Sequence, residues 1–156
     1  MKICFIFTRV SFGNGPLQRA LKLASLGHNV EILDLSQNHE DLKNLFEDHY
    51  LELNNLKLCT LNLKKLNISL SNILNLRSFF LNKKYNIVQS TTIWNSLITS
   101  ISLLGNLKTK HITFDGGMLD RYSLKIRLAR LIAHSLANGS IYISNSCFKS
   151  QYKGRL

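Results

Sequence analysis

Apolar positions along the chain change period repeatedly, and the changes mark out alternating strands and helices. Residues 2–7 form a short run of β-formers and read as a buried first strand. Residues 8–15, with Ser11, Gly13, Asn14 and Gly15, form the loop after it. Pro16 stands at a first helical position, Leu17, Ala20, Leu21 and Ala24 share one helical face, and Gly27 supplies the stop. A second strand is predicted over residues 30–35, so the opening spells strand, loop, helix, strand, the order of a right-handed parallel crossover.

Residues 36–65 carry weaker signals: a polar helix over 39–49 and a short strand over 58–63. Helical spacing returns over 67–81, where Ile68, Leu70, Ile73, Leu74, Leu76 and Phe80 recur, and residues 85–89 read as a strand. A buried helix over 94–104 ends at Gly105, a strand over 110–114 ends at Asp115-Gly116-Gly117, and a basic amphipathic helix spans 121–137. Residues 140–143 close the pattern as a last strand. The prediction is one α/β domain over residues 1–156: a Rossmann-like, mostly parallel sheet flanked by helices on both faces. No 20- to 50-residue repeat and no Pro-rich or Ser/Gly-rich linker divides it.

Composition narrows the picture. With 156 residues, 45% of them hydrophobic, the chain is long enough to bury about two thirds of its unfolded surface. No apolar run reaches the roughly 18 residues of a membrane span, and the run over residues 1–7 is too short for a signal sequence before Arg9, so a cytoplasmic, unprocessed chain is expected. Cys4, Cys59 and Cys147 are three in number and widely spaced, which suggests neither disulfides nor a metal site. Five histidines, 28, 39, 49, 111 and 134, lack metal-binding spacing. The net charge of +11 favours anionic partners such as phosphates, nucleic acid or anionic lipid. Its basic residues are dispersed and no recognition motif accompanies them, so nothing beyond charge supports a nucleic-acid partner.

Several segments, in order, resemble the N-terminal, acceptor-side domain of retaining GT-B glycosyltransferases of the glycosyltransferase subfamily 4-like kind. Residues 2–7 leading into Gly13-Asn14-Gly15-Pro16-Leu17-Gln18-Arg19 are similar to that family's glycine loop and helix start. Ala24-Ser25-Leu26-Gly27-His28-Asn29-Val30-Glu31-Ile32-Leu33 looks like its Gly-His-x-Val closure. Tyr85-Asn86-Ile87-Val88-Gln89-Ser90 resembles a strand that carries histidines in the family, here without them. His111-Ile112-Thr113-Phe114-Asp115-Gly116 and Ala137-Asn138-Gly139-Ser140-Ile141-Tyr142-Ile143-Ser144 are similar to two later strand ends. A family histidine near the reacting sugar is replaced by Phe114 or Asp115, according to the alignment. The resemblance implies a second Rossmann-like domain that binds the nucleotide-sugar donor, and residues up to Leu156 contain no such domain. The chain is therefore expected to be inactive alone, with no cofactor of its own, no residue assigned as catalytic, and a donor half supplied by a second chain or lost by truncation. An isolated half should also expose the apolar surface where its other half docks, and so associate or dissolve poorly.

Gly13, Asn14 and Gly15, ahead of the Pro16 helix, could bring backbone amides and a helix N-terminus to a phosphate; the alternative is an empty tight turn. Asp115 and Gly116, at a predicted strand end, could meet an acceptor hydroxyl; the alternative is an ordinary Asp-Gly turn. Asp34 follows Gly13-x-Gly15 at a distance suggestive of a ribose-binding acid. Gln18 in place of a third glycine, and the long loop before Gly13, argue against a dinucleotide site. Arg121, Lys125, Arg127 and Arg130, with Leu124, Leu128, Leu131 and Ile132, could bring the domain to an anionic membrane bearing a lipid-linked acceptor. A solvated charged face over a buried apolar stripe is the favoured alternative. The leading function is the acceptor half of a glycosyltransferase acting on a glycan or lipid-linked acceptor. The competing one is a non-catalytic Rossmann-like module that binds a glycan, a nucleotide or a protein.

Overall fold

The computed structural model describes residues 1–11, 15–36, 39–44, 46, 53–61, 63, 68–116 and 122–152, with 150–152 as backbone only. The β-rich runs form six strands: β1 (Lys2–Phe7), β2 (Asn29–Asp34), β3 (Leu56–Thr60), β4 (Ile87–Ser90), β5 (Lys110–Asp115) and β6 (Gly139–Tyr142). All neighbours pair parallel, in the order β3-β2-β1-β4-β5-β6. Between and after them lie α1 (Gly15–Ser25), α2 (His39–Asn44), α3 (Leu70–Lys83), α4 (Ile93–Ser102), α5 (Leu124–Leu136) and α6 (Asn145–Tyr152). The expected fold class, a single α/β domain with helices on both faces, is the one observed.

The alternation of side chains along each strand feeds two cores. Ile3, Phe5 and Phe7 of β1 and Val30 and Ile32 of β2 meet Leu17, Ala20, Leu21 and Ala24 of α1 on one face. On the other face Cys4, Ile6, Leu33 and Val88 meet Leu76 and Phe80 of α3 and Ile98 of α4. Leu97 of α4 continues this layer against Ala129 and Ala133 of α5.

Local chemistry sets the boundaries. Gly27 adopts a left-handed φ of 86°. Its N–H donates to Ala24 and that of His28 to Leu23, the paired bonds of a Schellman stop. Ser69 accepts from the Asn72 N–H at 3.3 Å to cap α3, and Thr92 accepts from the Asn95 N–H at 3.5 Å to cap α4. Most element ends shift by up to three residues, as where β4 runs over Ile87–Ser90 against the predicted 85–89, and two differences have a local cause. β3 starts at Leu56, two residues before the expected 58, because its ladder follows β2 from Val30↔Leu56 onward. Beyond Thr60, Leu61 and Leu63 still donate to the carbonyls of Asp34 and Leu35. Helix α6 was not expected at all. Its signal is Ser144, whose hydroxyl accepts from the Cys147 N–H at 3.2 Å.

A candidate ligand crevice at the β1/β4 switch point

β1 sits beside both β2 and β4, and the connections leaving β1 and β4 run to opposite faces of the sheet. Such a switch point opens a crevice outside the carboxyl ends of the strands. Thr8 follows β1, and Thr91 and Thr92 follow β4. The Thr91 hydroxyl donates to the Ile6 carbonyl at 2.9 Å, and the Thr8 and Thr92 hydroxyls lie 3.2 Å apart across the switch. Arg19, in the second turn of α1, donates from Nη1 to Gln89 Oε1 at 3.1 Å and lies 5.4 Å from the centre of the Phe114 ring. One turn inside α4, Asn95 is fully buried, and neither amide atom has a hydrogen-bond partner. A buried amide normally finds partners, so Asn95 is an orphaned polar group beneath the first turn of α4, next to the switch point. Hydroxyls, a guanidinium, an amide and the first N–H groups of α4 together suit a polyhydroxylated or anionic ligand.

The carboxylates at this sheet edge are engaged. Asp34 accepts from the Val10 N–H at 2.6 Å through Oδ2 and from the Ser36 N–H at 2.8 Å through Oδ1, holding the loop after β1 to the end of β2. This is a structural use for the residue weighed as a ribose-binding acid. Asp34→Ala is expected to lower unfolding free energy by about 3 kcal/mol, since the buried Val10 N–H and the part-buried Ser36 N–H lose a charged acceptor. Urea denaturation measures it, and a loss below about 1 kcal/mol would contradict the loop-anchoring role.

Asp115 is buried at the end of β5, ion-paired with Arg130 and 3.2 Å from His134 Nε2. His134 Nδ1 lies 3.0 Å from Ser140 Oγ, which accepts from the Thr113 hydroxyl at 2.8 Å. Asp115 thus faces α5 and its partners there, where the sequence had offered it to an acceptor hydroxyl. Beside this cluster, Ser100 donates to the Ala133 carbonyl at 3.0 Å, so its oxygen takes the Nδ1–H of His111 at 3.1 Å. Nε2 of His111 then accepts from Ser90 at 2.9 Å, and Ser90 from Ser96 at 2.8 Å. Burial, aided by the nearby His134, lowers the His111 pKa to about 4.

Of the glycine-loop candidates, Gly13 and Asn14 lie outside the described residues and Gly15 opens α1. Gly116 follows β5, and its carbonyl takes the Cys147 thiol at 3.6 Å. Of the four basic candidates, Arg121 lies outside the described residues, and Lys125 and Arg127 are exposed. Arg130 requires a correction: it is 1% exposed and held by Asp115, so it cannot reach a membrane surface. The residues that the sequence reading left unassigned, Thr8, Arg19, Thr91, Thr92 and Asn95, carried one usable signal. A Thr-Thr pair between a strand and a helix marks an N-cap at a strand's carboxyl end.

A cavity of about 320 Å³ opens at the opposite edge, lined by Lys2, Asn29, Glu31, Asn54, Asn55 and Lys57. It lies at the amino ends of β1 and β2, away from the edge that parallel sheets use for ligands. Glu31 within it is committed to the Lys83 ammonium at 3.0 Å and the Cys59 thiol at 2.6 Å. Burial and the Glu31 bond push the Cys59 pKa up to about 12, so the thiol stays protonated.

No family model and no curated protein sequence matches the chain. Solved structures do. The whole chain superposes on 42% of a Listeria monocytogenes structure assigned as a UDP-N-acetylglucosamine 2-epimerase, with TM-score 0.63 and 14% identity. It superposes equally completely on 43% of the lipopolysaccharide outer core galactosyltransferase WaaB in its apo form, with TM-score 0.61 and 16% identity. The same share of a Neisseria meningitidis UDP-GlcNAc 2-epimerase bound to UDP-GlcNAc is matched at TM-score 0.61 and 19% identity. The fold is that of a Rossmann-like GT-B half. The chain spans under half the length of these proteins, and the likeness establishes architecture alone.

Proposed function

We propose that this chain is the acceptor-side half of a glycosyltransferase that uses a nucleotide-sugar donor, with the β1/β4 crevice receiving a hydroxyl-rich glycan or lipid-linked glycan. The observation that carries the reading is complete superposition of the chain on under half of WaaB, together with a β1/β4 switch point, the place in the sheet where α/β proteins bind ligands. Thr8, Thr91 and Thr92 would hydrogen-bond sugar hydroxyls, Arg19 would bind an anionic group, and Asn95 would find the partners it lacks. These groups orient a substrate; the donor and its leaving group belong to a second half. The competing reading, a non-catalytic binding module, rests on the engagement of Asp34, Asp115 and His111 in internal bonds.

A thermal-shift series separates the two. Oligosaccharide acceptors at about ten times their Kd should raise Tm by roughly 3 to 6 °C. Arg19→Ala and Asn95→Ala should weaken that binding about tenfold each, while UDP-sugars alone leave Tm unchanged. Stabilisation by UDP-sugars and not by glycans would overturn the acceptor assignment in favour of a nucleotide-binding module.

A further inference from the structure

The outer face of α5 is apolar as well as basic: Leu124, Leu128, Leu131 and Ile132 are exposed, which corrects the expectation of an apolar stripe turned inward. Polar groups with unspent hydrogen-bonding capacity gather elsewhere, in the cavity of about 320 Å³ at the amino edge of the sheet. Asn29, Asn54, Asn55 and Lys57 line it, and none of their side chains bonds to another described residue. Lys2 joins them, its ammonium held by the Lys83 carbonyl at 2.7 Å, a bond that uses one of three N–H donors. A neighbouring cavity of about 360 Å³, lined in part by Asn86, Asn106 and Lys108, gives the contrast. Its amides are spent: Asn86 Oδ1 accepts from the Lys2 N–H at 2.8 Å, and Asn106 bonds the Thr109 hydroxyl at 3.1 Å and the Lys108 N–H at 3.2 Å.

The first cavity also carries excess positive charge. Glu31, the one acid among its described lining residues, is bound through Oε1 to the Lys83 ammonium at 3.0 Å and to the Cys59 thiol at 2.6 Å. That ion pair cancels, and Lys2 and Lys57 remain as cations without a carboxylate. We propose that this cavity is a second binding site, for a small phosphorylated polyol. Two ammonium groups suit a phosphate, which lysine binds as a point charge. Carboxamides both donate and accept, so three of them match hydroxyl groups, which do the same. The volume lies at the low end of the range for small-molecule sites and holds one such ligand. Distance makes the site separate from the crevice: β1 runs six residues from Lys2 to Phe7, roughly 20 Å at about 3.3 Å per residue. A ligand at one end cannot reach the other, and the inference stands independently of the glycosyltransferase reading.

Isothermal titration calorimetry of the full chain with glucose 6-phosphate at low ionic strength tests the assignment. Saturable one-to-one binding is expected, with glucose and inorganic phosphate each at least about tenfold weaker, since each offers part of the recognised chemistry. Lys57→Glu, at an exposed position, should weaken glucose 6-phosphate binding by about tenfold or more, and Asn29→Ala with Asn54→Ala by about tenfold, with urea midpoints near the parent's. Arg19→Ala, in the crevice, should leave this affinity as it is. No measurable binding, or equal affinity for inorganic phosphate, would overturn the proposal. So would a Lys57→Glu chain that binds as tightly as the parent, or a loss caused by Arg19→Ala alone, which would put the phosphate in the crevice.

Discussion

Asp115→Ala is expected to lower the unfolding free energy by about 3–5 kcal/mol, a large share of the stability of a domain this size. Arg130 is buried beneath α5 with its guanidinium against the Asp115 carboxylate, and the His134 ring shares that carboxylate. Removing the acid leaves a cation in a low-dielectric site without its counter-charge, which costs more than the pair itself contributes. A double variant, Asp115→Leu with Arg130→Met, removes both charges and keeps the volume, and should recover most of the loss. Urea denaturation of the three proteins reads the difference. A single variant within about 1 kcal/mol of the parent, or a double variant as unstable as the single one, would show that the pair does not govern this site.

The same pair marks the limit of what the residues foretold. β1, α1, β2, α3 and β4 were legible because each strand is a short β-forming run between the two cores, each helix carries one apolar face, and Pro16, Gly27 or a cap residue bounds the run. α5 has apolar residues on both sides of the helix, so period alone cannot say which side meets the sheet. Ala129 and Ala133 go inward because small side chains let α5 approach Leu97, Ile93 and Ile101 of α4 closely. That close approach also draws Arg130 inside, where Asp115, fifteen positions earlier at the end of β5, makes burial tolerable. Neither the helix pattern nor the charge count contains that long-range pairing. The crevice was half legible. Asp115 does end β5, at the carboxyl edge of the sheet, but the candidate groups at the switch point, Arg19, Thr8 and Thr92, are joined by the β1/β4 adjacency, which depends on strand order.

Acidification should destabilise the fold progressively between about pH 6.5 and pH 4 through His111. The ring is buried, donates from Nδ1 to Ser100 and accepts from Ser90 at Nε2, so the folded state holds it neutral, with a pKa of about 4. The unfolded chain binds a proton near pH 6.5. Between those values the unfolded state carries more protons, so stability is fully present above pH 6.5 and falls as pH drops toward 4, by about 1.4 kcal/mol per unit and on the order of 3 kcal/mol in all. A proton on Nε2 would also turn two donors toward each other, since Ser90 already donates there and would have to break from His111 or reverse its bond with Ser96. His111→Gln keeps an amide that can donate and accept but cannot titrate. Its unfolding free energy should be lower than the parent's at pH 7.5 and converge on it as pH approaches 4. Parallel pH profiles for the two proteins would remove His111 as the source of the acid sensitivity.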